Sequence, residues 1–290
     1  MRIALATNKE YPNLVDSILP NAFKRVGIEA VPAVWDDPSV NWKSFDYVIL
    51  RSCWGYYLEI DKFYKWLDML EREGVGIFNP KSIVLWNSHK KYLLDLQAKG
   101  VDIPKTTLVE RGDTRTLDTI LNTLEGEEFV VKPCYGASAH GLIRTDKKSA
   151  LSHEKDFQKL LESSDALIQE FVPEIKHGEY SAIFIGGKLS HVVLKKPKEG
   201  EYRSQYEHGG TEHLAALDAE TLTKVKELFA RCDVDVLYAR LDFVITPAAF
   251  LVMELELIEP YLFFDLCPEA ADEFARCFND LTKGKSKNNI

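Results

Sequence analysis

Tyr238-Ala239-Arg240-Leu241-Asp242-Phe243-Val244-Ile245 and Leu251-Val252-Met253-Glu254-Leu255-Glu256-Leu257-Ile258-Glu259-Pro260 read as two strands joined through Thr246-Pro247-Ala248-Ala249. Along a strand, residues i and i+2 share a face. Arg240 and Asp242 therefore point one way, and Glu254 and Glu256 do the same on the second strand. Met253, Leu255 and Leu257 are expected on the other face, in a core. Paired as a hairpin, the strands set Asp242 opposite Glu254 and Arg240 opposite Glu256. Like charges directly opposed in a sheet destabilise it, and one arginine offsets only part of three carboxylates. A hard divalent cation such as Mg²⁺, which favours carboxylate and phosphate oxygens, would balance the rest. The competing reading is a solvated polar face on an edge hairpin.

Outward from the hairpin, apolar β-branched runs alternate with helical patterns, the mark of α/β organisation. Residues 2–6, 29–34 and 46–51 read as strands, with a helix over 15–26 that Pro20 can kink. Phe63, Trp66, Leu67 and Leu70 follow i, i+3, i+4, i+7, so 61–73 is an amphipathic helix ended by Gly74. With a short strand at 76–78, the opening segment forms an open parallel sheet covered by helices. Ser88 is expected to cap a helix through Tyr92, Leu93 and Leu96. Further helices centre on Leu117–Leu124, Phe157–Leu161, Val225–Cys232 and Ala270–Leu281, and strands on 128–132 and 166–171. Gly186-Gly187 between the runs 180–185 and 188–194 signals a hairpin. The expected division is an N-terminal α/β domain over 1–86, a central subdomain over 87–171 and a C-terminal subdomain over 172–290.

Composition removes several function classes. The chain has 290 residues, 36 Lys+Arg against 45 Asp+Glu and a formal net charge of −9. No basic block is present, which argues against a nucleic-acid binder held by phosphate neutralisation. No apolar run approaches the length of a membrane span, so no membrane partner is expected. The first residues lack a signal-peptide pattern, and the 5 cysteines are scattered without a C-x-x-C pair; a cytoplasmic location is the expectation.

Three further stretches carry polar groups suited to a ligand. In Phe129-Val130-Val131-Lys132-Pro133-Cys134-Tyr135-Gly136-Ala137-Ser138-Ala139-His140-Gly141 a strand-terminal lysine precedes a loop of small residues, which lets backbone N–H groups approach phosphate oxygens. Leu142-Ile143 stands where a Walker loop needs Lys-Ser/Thr, so that motif is excluded. Ala166-Leu167-Ile168-Gln169-Glu170-Phe171-Val172-Pro173 can show a purine edge its backbone, with Gln169 or Glu170 at the exocyclic amine. The long polar segment 193–210 has the character of a lid, and its Arg203 suits a carboxylate or phosphate. Taken singly, each also reads as an ordinary strand end or surface loop.

Their order resembles that of the ATP-grasp ligases over nearly the whole chain. It is most similar to the glutathione synthetase and ribosomal-protein glutamate ligase branch, and within it to the subgroup of the D-cycloserine-biosynthesis cyclo-ligase. The closer match rests on Arg51-Ser52-Cys53-Trp54-Gly55-Tyr56, Trp86-Asn87-Ser88-His89-Lys90, the stretch from Tyr202-Arg203-Ser204-Gln205 to Gly209-Gly210, and Met253 to Pro260. The resemblance implies an α+β ATP-grasp fold in which two subdomains clamp ATP behind the N-terminal domain. It implies Lys90, Lys132 and Lys195 as nucleotide-binding lysines, with Gly136, Ser138 and Gly141 in a small lid loop. Gln169, Glu170, Phe171 and Val172 would hold adenine and Glu179 the ribose. Asp242, Glu254 and Glu256 would bind Mg²⁺, for which Mn²⁺ can substitute. Arg203 and Arg240 would steady the transferring phosphoryl group. His89, Ser181 and Glu256 stand where the glutathione synthetase branch has Asp, Arg and Asn, and Ser181 argues against glutathione synthesis itself.

The chemistry implied is phosphoryl transfer from ATP to a carboxylate, followed by displacement of phosphate by an amine. The protein's share of such a reaction is positioning and charge neutralisation, so no protein nucleophile is needed. Arg51 and Tyr56, after the strand 46–51, are expected at the acceptor, since ligands favour the carboxyl ends of such strands. The substrates expected are a small-molecule carboxylate and amine, joined within one amino-acid-like molecule in the cyclo-ligase reading. Amino-acid ligation onto a peptide or protein, and an ATP-binding module without turnover, are the alternatives. The resemblance permits a homo-oligomer.

Overall fold

Alternating parallel strands and helices build the first layer, in a computed structural model that describes residues 1–10, 16–136, 141–198 and 209–283. β1 (Arg2–Thr7), α1 (Leu19–Arg25), β2 (Glu29–Val34), β3 (Tyr47–Ser52), α2 (Ile60–Arg72) and β4 (Gly76–Phe78) give a parallel sheet of order β2-β1-β3-β4. Phe63, Trp66, Leu67 and Leu70 of α2 are buried with Trp35 and Trp42 on one face of that sheet. Full burial of such side chains stabilises by roughly 1.5–3 kcal/mol each.

α3 (Lys81–Asn87) and α4 (Tyr92–Ala98) lead into the middle sheet. The helix expected to start at Ser88 starts at Tyr92. Ser88 instead ends α3, its hydroxyl donating to the Leu85 carbonyl at 2.9 Å and meeting the Tyr64 hydroxyl at 2.5 Å. β5 (Thr106–Val109), α5 (Leu117–Thr123), β6 (Glu128–Pro133), β7 (Ile143–Asp146), α6 (Glu154–Ser163) and β8 (Ala166–Glu170) follow. The sheet order is β5-β8-β6-β7, antiparallel throughout, with α5 and α6 covering one face.

The third sheet comprises β9 (Glu179–Ile185), β10 (Lys188–Lys196), β11 (Thr211–Leu214), β12 (Tyr238–Ile245) and β13 (Phe250–Glu256), ordered β11-β10-β9-β12-β13. Gly186 and Gly187 turn β9 into β10 with φ of +54° and +74°, a backbone that other L-residues adopt only with strain. α7 (Ala219–Cys232) begins at Asp218, whose carboxylate accepts from the Thr221 N–H at 2.7 Å, and packs on this sheet. α8 (Glu269–Thr282) crosses back: Phe274 and Phe278 pack with Phe23 of α1 and with Ile3 and Leu5 of the first sheet. One apolar cluster thus joins the two ends of the chain. Among the described residues no helix is long and apolar enough to cross a membrane.

Candidate active site

The β12–β13 register sets Arg240 opposite Glu256 and Asp242 opposite Glu254. Carboxylate oxygens of Asp242, Glu254 and Glu256 lie within 4.8 Å of one another. A bulge just beyond this cluster shifts the ladder between Asp242 and Phe243, so that Phe243 pairs with Val252. Met253 is the extra residue. It turns to the cavity rather than into the core, whereas Leu255 and Leu257 take the core positions expected of them.

Four cations face the carboxylates. Lys90 Nζ lies 2.6 Å from Glu254 Oε1, and Lys132 Nζ 3.8 Å from the same oxygen. Lys195 bridges Glu179 at 2.7 Å and Asp242 at 3.3 Å. Arg240 binds Asp242 at 3.0 Å and also Glu256. The Ser181 hydroxyl donates to Asp242 at 2.5 Å, in the place where an arginine was the alternative.

Burial, which would raise the Asp242 carboxyl, is outweighed by Arg240 and Lys195, which hold it near 2. Burial is likewise outweighed at Glu254, by Lys90 and Lys132, and its value is about 2. Glu256 moves the opposite way: burial, with Asp242 and Glu254 nearby, outweighs Arg240 and pushes it up to about 7. Burial lowers Lys132 to about 8, since Glu254 only partly offsets that burial and Lys90 repels it. Three hard oxygen donors in one cluster fit a divalent cation such as Mg²⁺, and a lysine short of negative charge fits a phosphate.

These groups line one cavity of about 1050 Å³ between the three sheets. At one end Val130, Pro133, Leu142, Phe171, Ile175 and Met253 form an apolar slot beside Glu170 and Val172. Arg144 lies over the Phe171 ring at 3.9 Å, and the Phe171 N–H is committed to the Glu128 carbonyl. Gln169 also lines the cavity, with its amide donating to Thr106 Oγ1 at 2.8 Å. Val130 and Leu142 were not singled out in the sequence as site residues, and Met253 was expected in the core. Their only signal is apolar character beside the lysine strand and the acidic strand. Gly136 is on the wall and Gly141 is not; Ser138 and Arg203 lie outside the described residues.

The other end is lined by Asn8, Trp54, Tyr56 and Glu259. Tyr56 is on the wall as expected, but Arg51 is not. Its guanidinium is buried, donating to Asp16 at 2.9 and 2.5 Å and to the Pro260 carbonyl at 2.9 Å. The expectation of a substrate clamp is corrected to a structural anchor: β3 ends inside the molecule, where α8 and the segment after β13 enclose its last side chains.

That segment is held one carbonyl at a time. The carbonyls of Leu257, Ile258, Glu259, Pro260, Tyr261 and Leu262 meet Asn79 Nδ2 (2.6 Å), Tyr238 OH (2.7 Å), Trp54 Nε1 (3.2 Å), Arg51 Nη2 (2.9 Å), Arg240 Nη1 (3.2 Å) and His191 Nε2 (3.0 Å). Glu259 is 7% exposed. Burial, then Glu256, raises its carboxyl well above the usual range.

A cavity between an α/β layer and two β-rich lobes, with lysines on one lobe and a carboxylate hairpin on the other, defines an ATP-dependent ligase of the grasp type. The comparisons agree. Residues 97–242 match the family model of the prokaryotic glutathione synthetase ATP-grasp domain, and residues 3–79 match that of the D-cycloserine synthetase DcsG N-terminal domain. The chain belongs to the ATP-grasp family, and is an ADP-forming carboxylate–amine ligase. It is 26% identical to the cycloserine biosynthesis protein DcsG of Streptomyces lavendulae, over 97% of this chain and 96% of that one. A probable alpha-L-glutamate ligase of Thioalkalivibrio sulfidiphilus is 30% identical over 57% of this chain and 55% of its own. The crystal structure of D-cycloserine synthetase DcsG superposes with a TM-score of 0.84 at 24% identity, covering 97% of this chain and 99% of that one. D-alanine–D-alanine ligase from Bacillus anthracis complexed with ATP gives 0.69 at 17%, covering 99% and 97%.

Proposed function

We propose that this ligase closes a ring within one amino-acid-like substrate. The γ-phosphoryl group of ATP passes to an oxygen of the substrate carboxylate, giving an acyl-phosphate and ADP. An amine nitrogen of the same molecule then attacks the carbonyl carbon, the C–O bond to phosphate breaks, and the amine loses a proton to solvent. Lys90 and Lys132 bind the phosphates, the apolar slot with Glu170 and the Val172 N–H holds adenine, and Glu179 holds the ribose. Asp242, Glu254 and Glu256 hold Mg²⁺, which when bound neutralises charge on the triphosphate. Arg240 steadies the phosphoryl group as it moves.

The observation that supports the charge roles best is the balance of the site. Lys90, Lys132, Lys195 and Arg240 face Glu179, Asp242, Glu254 and Glu256, so the formal charges of this cluster sum to about zero. A triphosphate therefore enters with its own divalent cations rather than as a bare anion. Similarity to the cycloserine protein extends over the acceptor end as well, whereas the glutamate ligase aligns over little more than half of the chain; this favours ring closure.

The test is coupled detection of ADP, AMP and phosphate with Mg²⁺-ATP across amino acids, small peptides and ureido- and hydroxamate-type amino acids, with Glu254→Gln as blank. Substrate-dependent ADP and phosphate with a cyclic product supports the reading. AMP release, or a linear product joining two molecules, would sink it.

A further inference from the structure

The motif Glu254-x-Glu256-x-x-Glu259-Pro260 contains a third glutamate that the nucleotide and metal roles do not use. Glu259 lies three residues past the last residue of the carboxylate cluster and lines the cavity although its side chain is nearly all buried. Among the described residues it forms no ion pair, whereas Asp242, Glu254 and Glu256 each have a lysine or arginine against them. Arg240 and Arg51 favour its charged form from a distance and neither pairs with it, so a charged Glu259 is costly in this burial unless a ligand brings a cation against it.

The backbone around Glu259 is held with unusual completeness. Its carbonyl and those on either side accept from Tyr238, Trp54 and Arg51. Three buried or half-buried donors on separate elements thus place one carboxylate at one spot on the wall, beside the Trp54 and Tyr56 side chains. Aromatic faces and a carboxylate together are the surroundings that bind an ammonium group. Glu256 and Arg240 of the charged cluster act on Glu259, so its carboxyl borders that cluster; a substrate carboxylate presented to the γ-phosphate carries its α-ammonium on the adjacent carbon, toward this wall.

Resting on the ligase reading above, we propose that Glu259 receives the α-ammonium group of the amino-acid substrate, with Trp54 and Tyr56 as the adjoining walls. The residue then selects substrates that carry a free cationic amine, and the nitrogen that closes the ring is a second, uncharged one. Glu259 is a binding residue, and its contribution appears in substrate affinity rather than in ATP affinity.

The test measures binding in place of turnover, which separates it from the ligase reading. Calorimetry with Mg²⁺ and the non-hydrolysable analogue AMP-PNP would follow ureido- and hydroxamate-type amino acids and their α-hydroxy counterparts, on the full chain and on Glu259→Gln. The expected result is at least 30-fold weaker binding of the α-hydroxy compounds to the unaltered protein. Glu259→Gln should bind the amino compounds at least tenfold more weakly and lose the distinction, with AMP-PNP affinity within about twofold. Should Glu259→Gln fail to bind AMP-PNP, Glu259→Asp keeps the charge and should keep the preference. Equal binding of amino and hydroxy compounds to the unaltered protein, binding of neither, or a preference that survives in Glu259→Gln would overturn the proposal. Absence of ADP formation in the separate assay would strike only the ligase reading.

Discussion

Lys90 Nζ and Glu254 Oε1 meet at 2.6 Å although 164 residues separate them in the chain. The bond joins the turn between α3 and α4 to the middle of β13, and Lys132 approaches the same oxygen at 3.8 Å from β6. One carboxylate therefore gathers two lysines from different elements. If Lys90 and Lys132 bind phosphate oxygens as proposed, Glu254 is released to hold a cation.

Glu254→Gln should accordingly reduce ADP formation by about 10³-fold, the scale for removing one group that acts on the transferring charge. It also leaves Lys90 and Lys132 without their partner. The cost to stability should be only about 1–2 kcal/mol, because the Glu254 side chain retains 28% exposure to the cavity. Steady-state kinetics and thermal unfolding on the same preparation check both parts. Turnover within tenfold of the parent would remove Glu254 from the metal set.

Chelation gives an independent reading of the same cluster. With EDTA in excess over divalent cations, ADP formation should stop, and added Mg²⁺ should restore it in full. Activity that persists in EDTA would mean that Asp242, Glu254 and Glu256 are only a charge network for Lys90, Lys195 and Arg240.

Met253 carries a prediction for the nucleotide end. Its place in the apolar slot follows from the bulge after Asp242. Met253→Ala should raise KM for ATP by about tenfold, equivalent to about 1.4 kcal/mol of lost apolar contact, with kcat little changed. An unchanged KM would place adenine elsewhere in the cavity.

The hairpin shows what local pattern can reveal. The charges at 240, 242, 254 and 256 alternate with apolar residues, and the register deduced from that alternation is the register observed. Met253 escaped because a bulge breaks the period of two without any glycine or proline to announce it. Short strands such as β5, β7 and β11 have four residues each, too few for a period to register. Arg51 escaped for a different reason. Its partners, Asp16 and Pro260, are 35 and 209 residues away, so only the folded chain shows that its charge is already satisfied.

Two buried histidines contribute to the pH dependence of stability. Burial lowers His191 below its ordinary 6.5, outweighing its hydrogen bond to the Leu262 carbonyl and the nearby carboxylates of Glu269, Glu273 and Asp265. Burial also lowers His89, against the opposing effect of Asp165. In the unfolded chain both rings take up protons near pH 6.5, while in the fold they do so only at lower pH. Through these two rings the unfolded state binds more protons in that window, so their contribution to stability falls as pH drops below 6.5, opposite in sign to that of the raised Glu256 and Glu259 carboxyls. The slope is at most about 1.4 kcal/mol per pH unit for each histidine. Denaturant titrations from about pH 7.5 to about pH 5 should show His191→Gln losing less stability, or gaining more, on acidification than the parent. The same pH dependence in parent and variant would contradict the assignment.

Arg51 offers the sharpest contrast between an anchor and a substrate clamp. A clamp loses substrate affinity when truncated and leaves the fold alone. An anchor does the reverse, because Arg51→Ala strands Asp16, a carboxylate 5% exposed, without its partner and frees the Pro260 carbonyl. Breaking a buried pair from one side costs about 3–5 kcal/mol, which for a chain of this size lowers Tm on the order of 10 °C. Asp16→Asn combined with Arg51→Met removes both charges and should recover part of that loss, since neither buried charge then lacks a partner. The double variant, once folded, should bind ATP as the parent does, as Arg51 does not reach the cavity wall. A stable Arg51→Ala protein with weakened substrate binding would restore the clamp and displace the anchor.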